Sequence, residues 1–165
     1  MLLVAKDKMM QLPSHKKTRP RVLIIEPDEN IISFISLGMQ YEGYEIESCQ
    51  QHLESLEVAR KVQPDLVILD LDFPDTYGFD LCRQLRIEEI TRQCPIIALT
   101  QKATDQIRRD AQDAGINALI TKPFEYNTIL EEIDLFIAHL NPSRSRPQLG
   151  FIIKSPNAST DPFKS

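Results

Sequence analysis

The stretch Leu66-Val67-Ile68-Leu69-Asp70 constrains the fold of this chain more than any other. Four consecutive apolar residues leave no polar face for solvent, so they predict a strand buried on both sides, as in the middle of a parallel sheet. The run stops on a carboxylate. In open α/β sheets the chemistry gathers beyond the carboxyl ends of the strands, and Asp70 stands at such an end. Pro74 and Gly78 mark a loop, after which Phe79, Cys82 and Leu85 recur at helical spacing.

The same alternation of strand and helix runs through residues 21–140. Arg21 to Ile25 predicts a first strand, and Ile31, Phe34, Ile35 and Gly38 give the next helix its apolar stripe. Tyr44 to Cys49 predicts a strand nearer the edge, followed by a weaker helix with Leu53, Leu56, Ala59 and Val62 that ends before Pro64. Beyond the central strand and its helix come Ile96 to Leu99, then Ala103, Ile107, Ala111 and Ala114 on a helix closed at Gly115. Ile116 to Thr121 is the fifth strand, and Ile129, Ile133, Phe136, Ile137 and Leu140 line the last helix. Strands and helices alternating at this length imply right-handed crossovers and a parallel sheet covered on both faces.

Charge separates this body from its flanks. Net charge is about +4 over residues 1–20, about −12 over 21–140 and about +3 over 141–165. Residues 1–20 predict a flexible basic lead-in. Residues 141–165 hold four prolines among Ser and Asn, and that composition predicts a flexible tail, with docking of Phe151, Ile152 and Ile153 as the alternative. One domain is therefore expected, at 21–140. The three cysteines, Cys49, Cys82 and Cys94, are odd in number and lack metal-type spacing, so they read as small core residues rather than a disulfide or zinc framework. No apolar run approaches a membrane span or a signal-peptide core, and a cytoplasmic protein without membrane contact is expected.

The ends of the strands collect a particular chemistry. The first ends in Glu26-Pro27-Asp28, the third in Asp70, the fourth in Thr100 and the fifth in Thr121-Lys122-Pro123. Singly, each has a plain structural reading: a loop acid, a helix cap, a turn hydroxyl, a surface cation. Together they surround one carboxylate with acids, a hydroxyl donor and a fixed cation. Phosphoryl transfer to an aspartate needs that set, with Asp70 as nucleophile and Lys122, Thr100 and an acid-held metal meeting charge on the phosphoryl oxygens.

With these positions in view, residues 21–140 resemble the receiver domain of two-component response regulators. The match runs without gaps through the acidic turn after the first strand, Leu69-Asp70, Pro74, Gly78-Phe79, Leu99-Thr100 and Lys122-Pro123-Phe124. The resemblance implies a flavodoxin-like, doubly wound, five-stranded parallel sheet in the order 2-1-3-4-5. It also implies that Asp70 accepts phosphate from a histidine kinase or phosphotransfer protein, that Thr100 is the switching hydroxyl, and that Lys122 pairs with the phosphate. Glu26, Asp70 and the backbone carbonyl of Asp72 would hold Mg²⁺. Catalysis beyond self-catalysed phosphorylation and dephosphorylation of the aspartate is not implied.

Two departures alter those expectations. Pro27 stands where the family usually has a second acid that ligates the metal, so Mg²⁺ binding is expected to be weak or absent. Leu119 stands where an aromatic residue commonly rotates inward as the threonine moves. The opposed charges of Asp72 and Lys102 are expected to pair across the mouth of the site. No output domain is expected in residues 141–165, and nucleic-acid binding is therefore not expected. A second reading is a pseudo-receiver that keeps the fold as a phosphorylation-independent protein-binding module. The third is a phosphatase, since Asp70-Leu71-Asp72 also resembles the Asp-x-Asp nucleophile motif of haloacid-dehalogenase enzymes, although two βα units precede it and no acidic pair follows Lys122.

Overall fold

A computed structural model describes residues 19–74 and 78–137 and the backbone of 152–154. Its strands are β1 (Arg21–Ile25), β2 (Glu45–Cys49), β3 (Leu66–Asp70), β4 (Ile96–Thr100), β5 (Ala118–Thr121) and β6 (Ile152–Lys154). Its helices are α1 (Glu29–Tyr41), α2 (Ser55–Val62), α3 (Gly78–Ile87), α4 (Asp105–Asp113) and α5 (Tyr126–Ile137). The five strands of the body form a parallel sheet in the order 2-1-3-4-5, as the resemblance implies. Ile24 lies opposite Ile68, and Ile68 opposite Ile97, so β3 is central.

The period-2 geometry of the strands divides the core into two layers. Val22, Ile24, Leu66, Ile68, Ile97 and Leu99 face α1 and α5, where Ile35, Met39, Ile129, Ile133 and Phe136 meet them. Leu23, Ile25, Val67, Leu69, Ala98 and Leu119 face the other way, onto Ala59 of α2, Leu81 and Leu85 of α3, and Ala111 of α4. Both faces of β3 and β4 are buried throughout. Burying such side chains stabilises by roughly 1.5–3 kcal/mol each, enough to fix the register against a one-residue slip.

Three expectations are corrected. The buried stripe of α1 is Ile32, Ile35 and Met39, whereas Phe34 remains 49% exposed. Phe34 sits at the flank of the helix instead, with ring centroids 6.3 Å from Phe124 and 6.2 Å from Tyr126. Leu53 is 91% exposed because His52–Glu54 forms a short 3₁₀ turn before α2, which rotates it out of that helix's apolar face. Within the expected C-terminal tail, Ile152–Lys154 pairs in parallel with Ala118–Ile120 and adds a sixth strand beside β5. Residues 1–18 of the lead-in expected at 1–20, Leu140, and the remainder of 141–165 lie outside the described residues.

All three cysteines are free and buried. Burial pushes the Cys82 thiol up to about 11 and the Cys94 thiol up to about 12. At pH 8 these values leave thiolate fractions of about 1 in 10³ and about 1 in 10⁴, so neither thiol is an effective nucleophile in the folded protein. Cys82 and Cys94 are therefore expected to resist a thiol reagent in the native state and to react within minutes in denaturant. Mass mapping of alkylated peptides checks this, and native labelling at either position at the denatured rate would contradict it.

Candidate functional site

Parallel registration brings the carboxyl ends of β1, β3, β4 and β5 to one rim. Asp70 lies opposite Leu99, and Thr100 opposite Thr121. The pattern continues one residue past the strands: Leu71 N–H donates to the Leu99 carbonyl, Lys122 N–H to the Thr100 carbonyl, and Glu26 N–H to the Cys49 carbonyl. Glu26, Asp70 and Thr100 are all buried at this rim. Asp28 caps α1, its carboxylate accepting from the Asn30 N–H at 2.8 Å, while its own N–H donates to Glu26.

Lys122 joins the two buried acids. Its Nζ lies 3.0 Å from Asp70 Oδ1 and 2.9 Å from Glu26 Oε2, with only 14% of the side chain exposed. Burial opposes the charge on Lys122, but the hydrogen bond to Glu26 and the neighbouring Asp70 carboxylate outweigh it and raise its pKa. Burial is the largest influence on Glu26 and lifts its carboxyl above the ordinary range, against the opposing hydrogen bonds from Lys122 and Asp28. Two carboxylates share one ammonium, so the ionised pocket remains net negative and attractive to a cation.

The loop after β3 depends on a close backbone approach. A Cβ on Gly78 would lie 2.7 Å from Leu71 Cα and 2.8 Å from the Asp70 carbonyl oxygen. Backbone cannot yield as a flexible side chain can, so only glycine lets α3 start against the strand end that carries Asp70. Gly78→Ala is expected to destabilise by about 1–3 kcal/mol, the range for overpacking. The midpoint of urea unfolding measures it, and an unchanged midpoint would show that the loop relaxes freely.

Thr100 and Asp72 meet differently from the sequence expectation. Asp72 does not turn to Lys102; its Oδ2 accepts from the Gln101 N–H at 2.5 Å and its Oδ1 lies 3.4 Å from Thr100 Oγ1. A backbone donor is fixed in place, whereas pairing with an exposed side chain such as Lys102 gains little, so the carboxylate takes the backbone partner. Thr100 Oγ1 is also 3.2 Å from the Lys102 carbonyl, so its single proton is shared between two acceptors. The Asp72 N–H donates to Asp70 Oδ1 at 3.2 Å. Sequence reasoning missed Gln101 altogether, because its contribution is a main-chain N–H that side-chain identity does not encode.

Among the described residues, no group of three or more His, Cys, Asp or Glu is arranged to hold a metal ion. The oxygen donors the rim offers a hard cation are the carboxylates of Glu26 and Asp70 and the backbone around Asp72, a set suited to Mg²⁺ in kind but short in number. Pro27 contributes no side-chain ligand. Beside Lys122 the site opens into an apolar groove of about 560 Å³, lined by Ile31, Phe34, Pro123 and Phe124 with Asn30 and Gln101. No described helix is long and apolar enough to cross a membrane.

Comparison with known proteins gives consistent matches. The sequence model of the response regulator receiver domain matches residues 22–134. The DNA-binding dual master transcriptional regulator RpaA of Synechocystis is 32% identical over 69% of this chain and 47% of its own length. The response regulator ArlR of Staphylococcus saprophyticus is 32% identical over 87% of this chain and 62% of its own. This chain thus spans about half to three fifths of those relatives. Among solved structures, the chemotaxis regulator CheY4 of Vibrio cholerae superposes with a TM-score of 0.68 at 26% identity, covering 72% of this chain and 99% of that one. The receiver domain of the sensor histidine kinase PA1611 from Pseudomonas aeruginosa, with magnesium coordinated in its active-site cleft, gives a TM-score of 0.66 at 24% identity over 73% of this chain and 98% of that one. Receiver domains are signalling modules of two-component systems rather than classical enzymes, and they interact in general with histidine kinases or phosphotransfer proteins. With 22–134 matched and the strand order in agreement, this chain belongs to the response regulator receiver domain family.

Proposed function

We propose that this domain accepts a phosphoryl group on Asp70 from a phosphohistidine donor and passes the signal on through protein contacts. One observation carries the reading: Lys122 binds both Asp70 and Glu26 at hydrogen-bond distance, which fixes a cation beside the carboxylate that would be phosphorylated. In the transfer, an Asp70 oxygen bonds to phosphorus as the phosphorus–nitrogen bond breaks. The imidazole leaves neutral when its other ring nitrogen carries a proton, and no further co-reactant is required. Lys122 balances charge on the phosphoryl oxygens, and Thr100 offers its hydroxyl once freed from its present acceptors.

Receiver domains typically bind Mg²⁺ in this cleft. Here Glu26, Asp70 and the Asp72 carbonyl would hold it, weakly because Pro27 supplies no ligand; when bound, the ion neutralises phosphoryl charge. The groove between α1 and the segment after β5 gives a donor protein an apolar seat next to Lys122.

Incubation of the full chain with phosphoramidate and Mg²⁺, followed by intact mass and peptide mapping, tests the proposal. One phosphoryl group on Asp70, absent from Asp70→Asn, is the expected result. The neutral Pro27 favours a second reading, a binding module that works without phosphate. On that reading no donor labels Asp70 at any Mg²⁺ concentration, and Asp70→Asn leaves partner binding unchanged.

A further inference from the structure

Asp72 bridges the segment after β3 and the loop after β4. Its backbone N–H points to the Asp70 carboxylate, while its own carboxylate reaches across to the loop after β4. There it takes the Gln101 N–H through Oδ2 and lies within reach of the Thr100 hydroxyl through Oδ1. These are a backbone donor and a hydroxyl donor, side by side: the N–H is taken by the Asp72 carboxylate, and the hydroxyl proton is shared between that carboxylate and the Lys102 carbonyl. A charge-assisted bond from a backbone N–H to a carboxylate is among the stronger neutral-donor contacts, and here it spans elements 29 residues apart in sequence.

A phosphoryl group on Asp70 would bring about −1.5 to −2 charges and three strong acceptor oxygens into the same mouth. It would repel the Asp72 carboxylate and compete with it for the same two donors. We propose that Asp72 acts as an internal anion that holds the loop after β4 closed in the unmodified protein, and that phosphorylation proceeds only as Asp72 is displaced. This rests on the assignment of Asp70 as phosphoacceptor and adds its regulation. Linkage makes the two events reciprocal: whatever Asp72 contributes to holding Gln101 is subtracted from the favourability of modifying Asp70. The same displacement would hand the Gln101 N–H and the Thr100 hydroxyl to the phosphoryl oxygens. A loop held by a side chain two residues from the acceptor would thus be transferred to the acceptor's new group.

Two variants of the full chain separate the elements of the argument. Asp72→Ala removes the acceptor, and Asp72→Asn keeps an acceptor oxygen of similar shape without the charge; both preserve the Asp72 carbonyl and N–H. In unmodified protein, hydrogen exchange at the Gln101 amide is expected to quicken by about tenfold or more in Asp72→Ala and by less in Asp72→Asn. The initial rate of labelling by phosphoramidate with Mg²⁺ is expected to rise in the same order, by about tenfold in Asp72→Ala, because the contact no longer has to be broken on the way to the transition state. A wild-type chain that labels at a rate Asp72→Ala does not raise, or lowers, overturns the gating role while leaving Asp70 as acceptor. Unchanged exchange at Gln101 overturns the hold itself. If no variant is labelled under any condition, the phosphoacceptor assignment falls together with this inference. A wild-type chain that stays unlabelled beside a labelled Asp72→Ala supports both.

Discussion

Arg86→Ala is expected to destabilise the domain by about 1–3 kcal/mol, the range for leaving partly buried hydrogen-bond acceptors without their donor. The Arg86 guanidinium donates from Nε and Nη2 to the Gly115 carbonyl at 3.0 and 2.7 Å, and from Nη1 to the Cys94 carbonyl at 2.6 Å. Nη1 also reaches the Thr91 carbonyl, and Nη2 reaches Asn117 Oδ1, which itself accepts from the Ile96 N–H. One side chain from the end of α3 thereby ties the entry to β4 and the turn before β5. Burial lowers the pKa of Arg86, a cost the planar fork offsets with five well-placed donors. Truncation removes those donors and leaves the acceptors in a place that water fills poorly. Arg86→Lys is expected to recover little, because an ammonium cannot span the same acceptors. Urea unfolding of the wild type and both variants reads the effect, and a loss below about 1 kcal/mol for alanine would mean that solvent satisfies the carbonyls.

The other large effect lies at the turn after β1. Pro27→Asp is expected to tighten Mg²⁺ by on the order of tenfold to a hundredfold and to speed modification of Asp70 at limiting Mg²⁺. Without the metal, a third carboxylate joins Glu26 and Asp70 around a single ammonium. Like-charge repulsion should therefore lower the stability of the metal-free variant by about 1 kcal/mol. Saturating Mg²⁺ should restore it, since a ligand bound only by the folded state adds stability in proportion to the logarithm of its concentration over its dissociation constant. Titration of Mg²⁺ against each protein, with thermal unfolding at each concentration, checks both halves. Equal affinity in wild type and variant would show that position 27 does not face the ion.

The sheet was legible in the sequence because its central strands are unbroken apolar runs, and such runs have few places to hide except between two layers of helix. The rim was legible for a related reason. A carboxylate at the end of an apolar strand cannot retreat into the core, so Glu26 and Asp70 had to lie where the strands stop. Helix faces were read less well. In α1 the expected stripe was Ile31, Phe34, Ile35 and Gly38, whereas Ile32, Ile35 and Met39 are the buried residues and Phe34 lies beside Phe124 and Tyr126, which are distant in the chain. Arg86 was not legible at all. An arginine near a helix end reads as a solvated charge, and its acceptors are almost all main-chain carbonyls, which every residue possesses. The partner of Asp72 was hidden in the same way, in the N–H of Gln101.

The three residues of β6 have a practical consequence for where the molecule can be cut. A fragment ending at residue 137 keeps every element matched by the family, yet it bares the outer backbone of Ala118–Ile120, which β6 now occupies. Unpaired N–H and C=O groups in a row invite a second chain to zip onto them. At the opposite margin Glu45 and Glu47 of β2 discourage such a visitor by charge. The apolar sequence Ala118-Leu119-Ile120 carries no charge of its own, so a shortened protein is expected to self-associate through this edge more readily than the full chain.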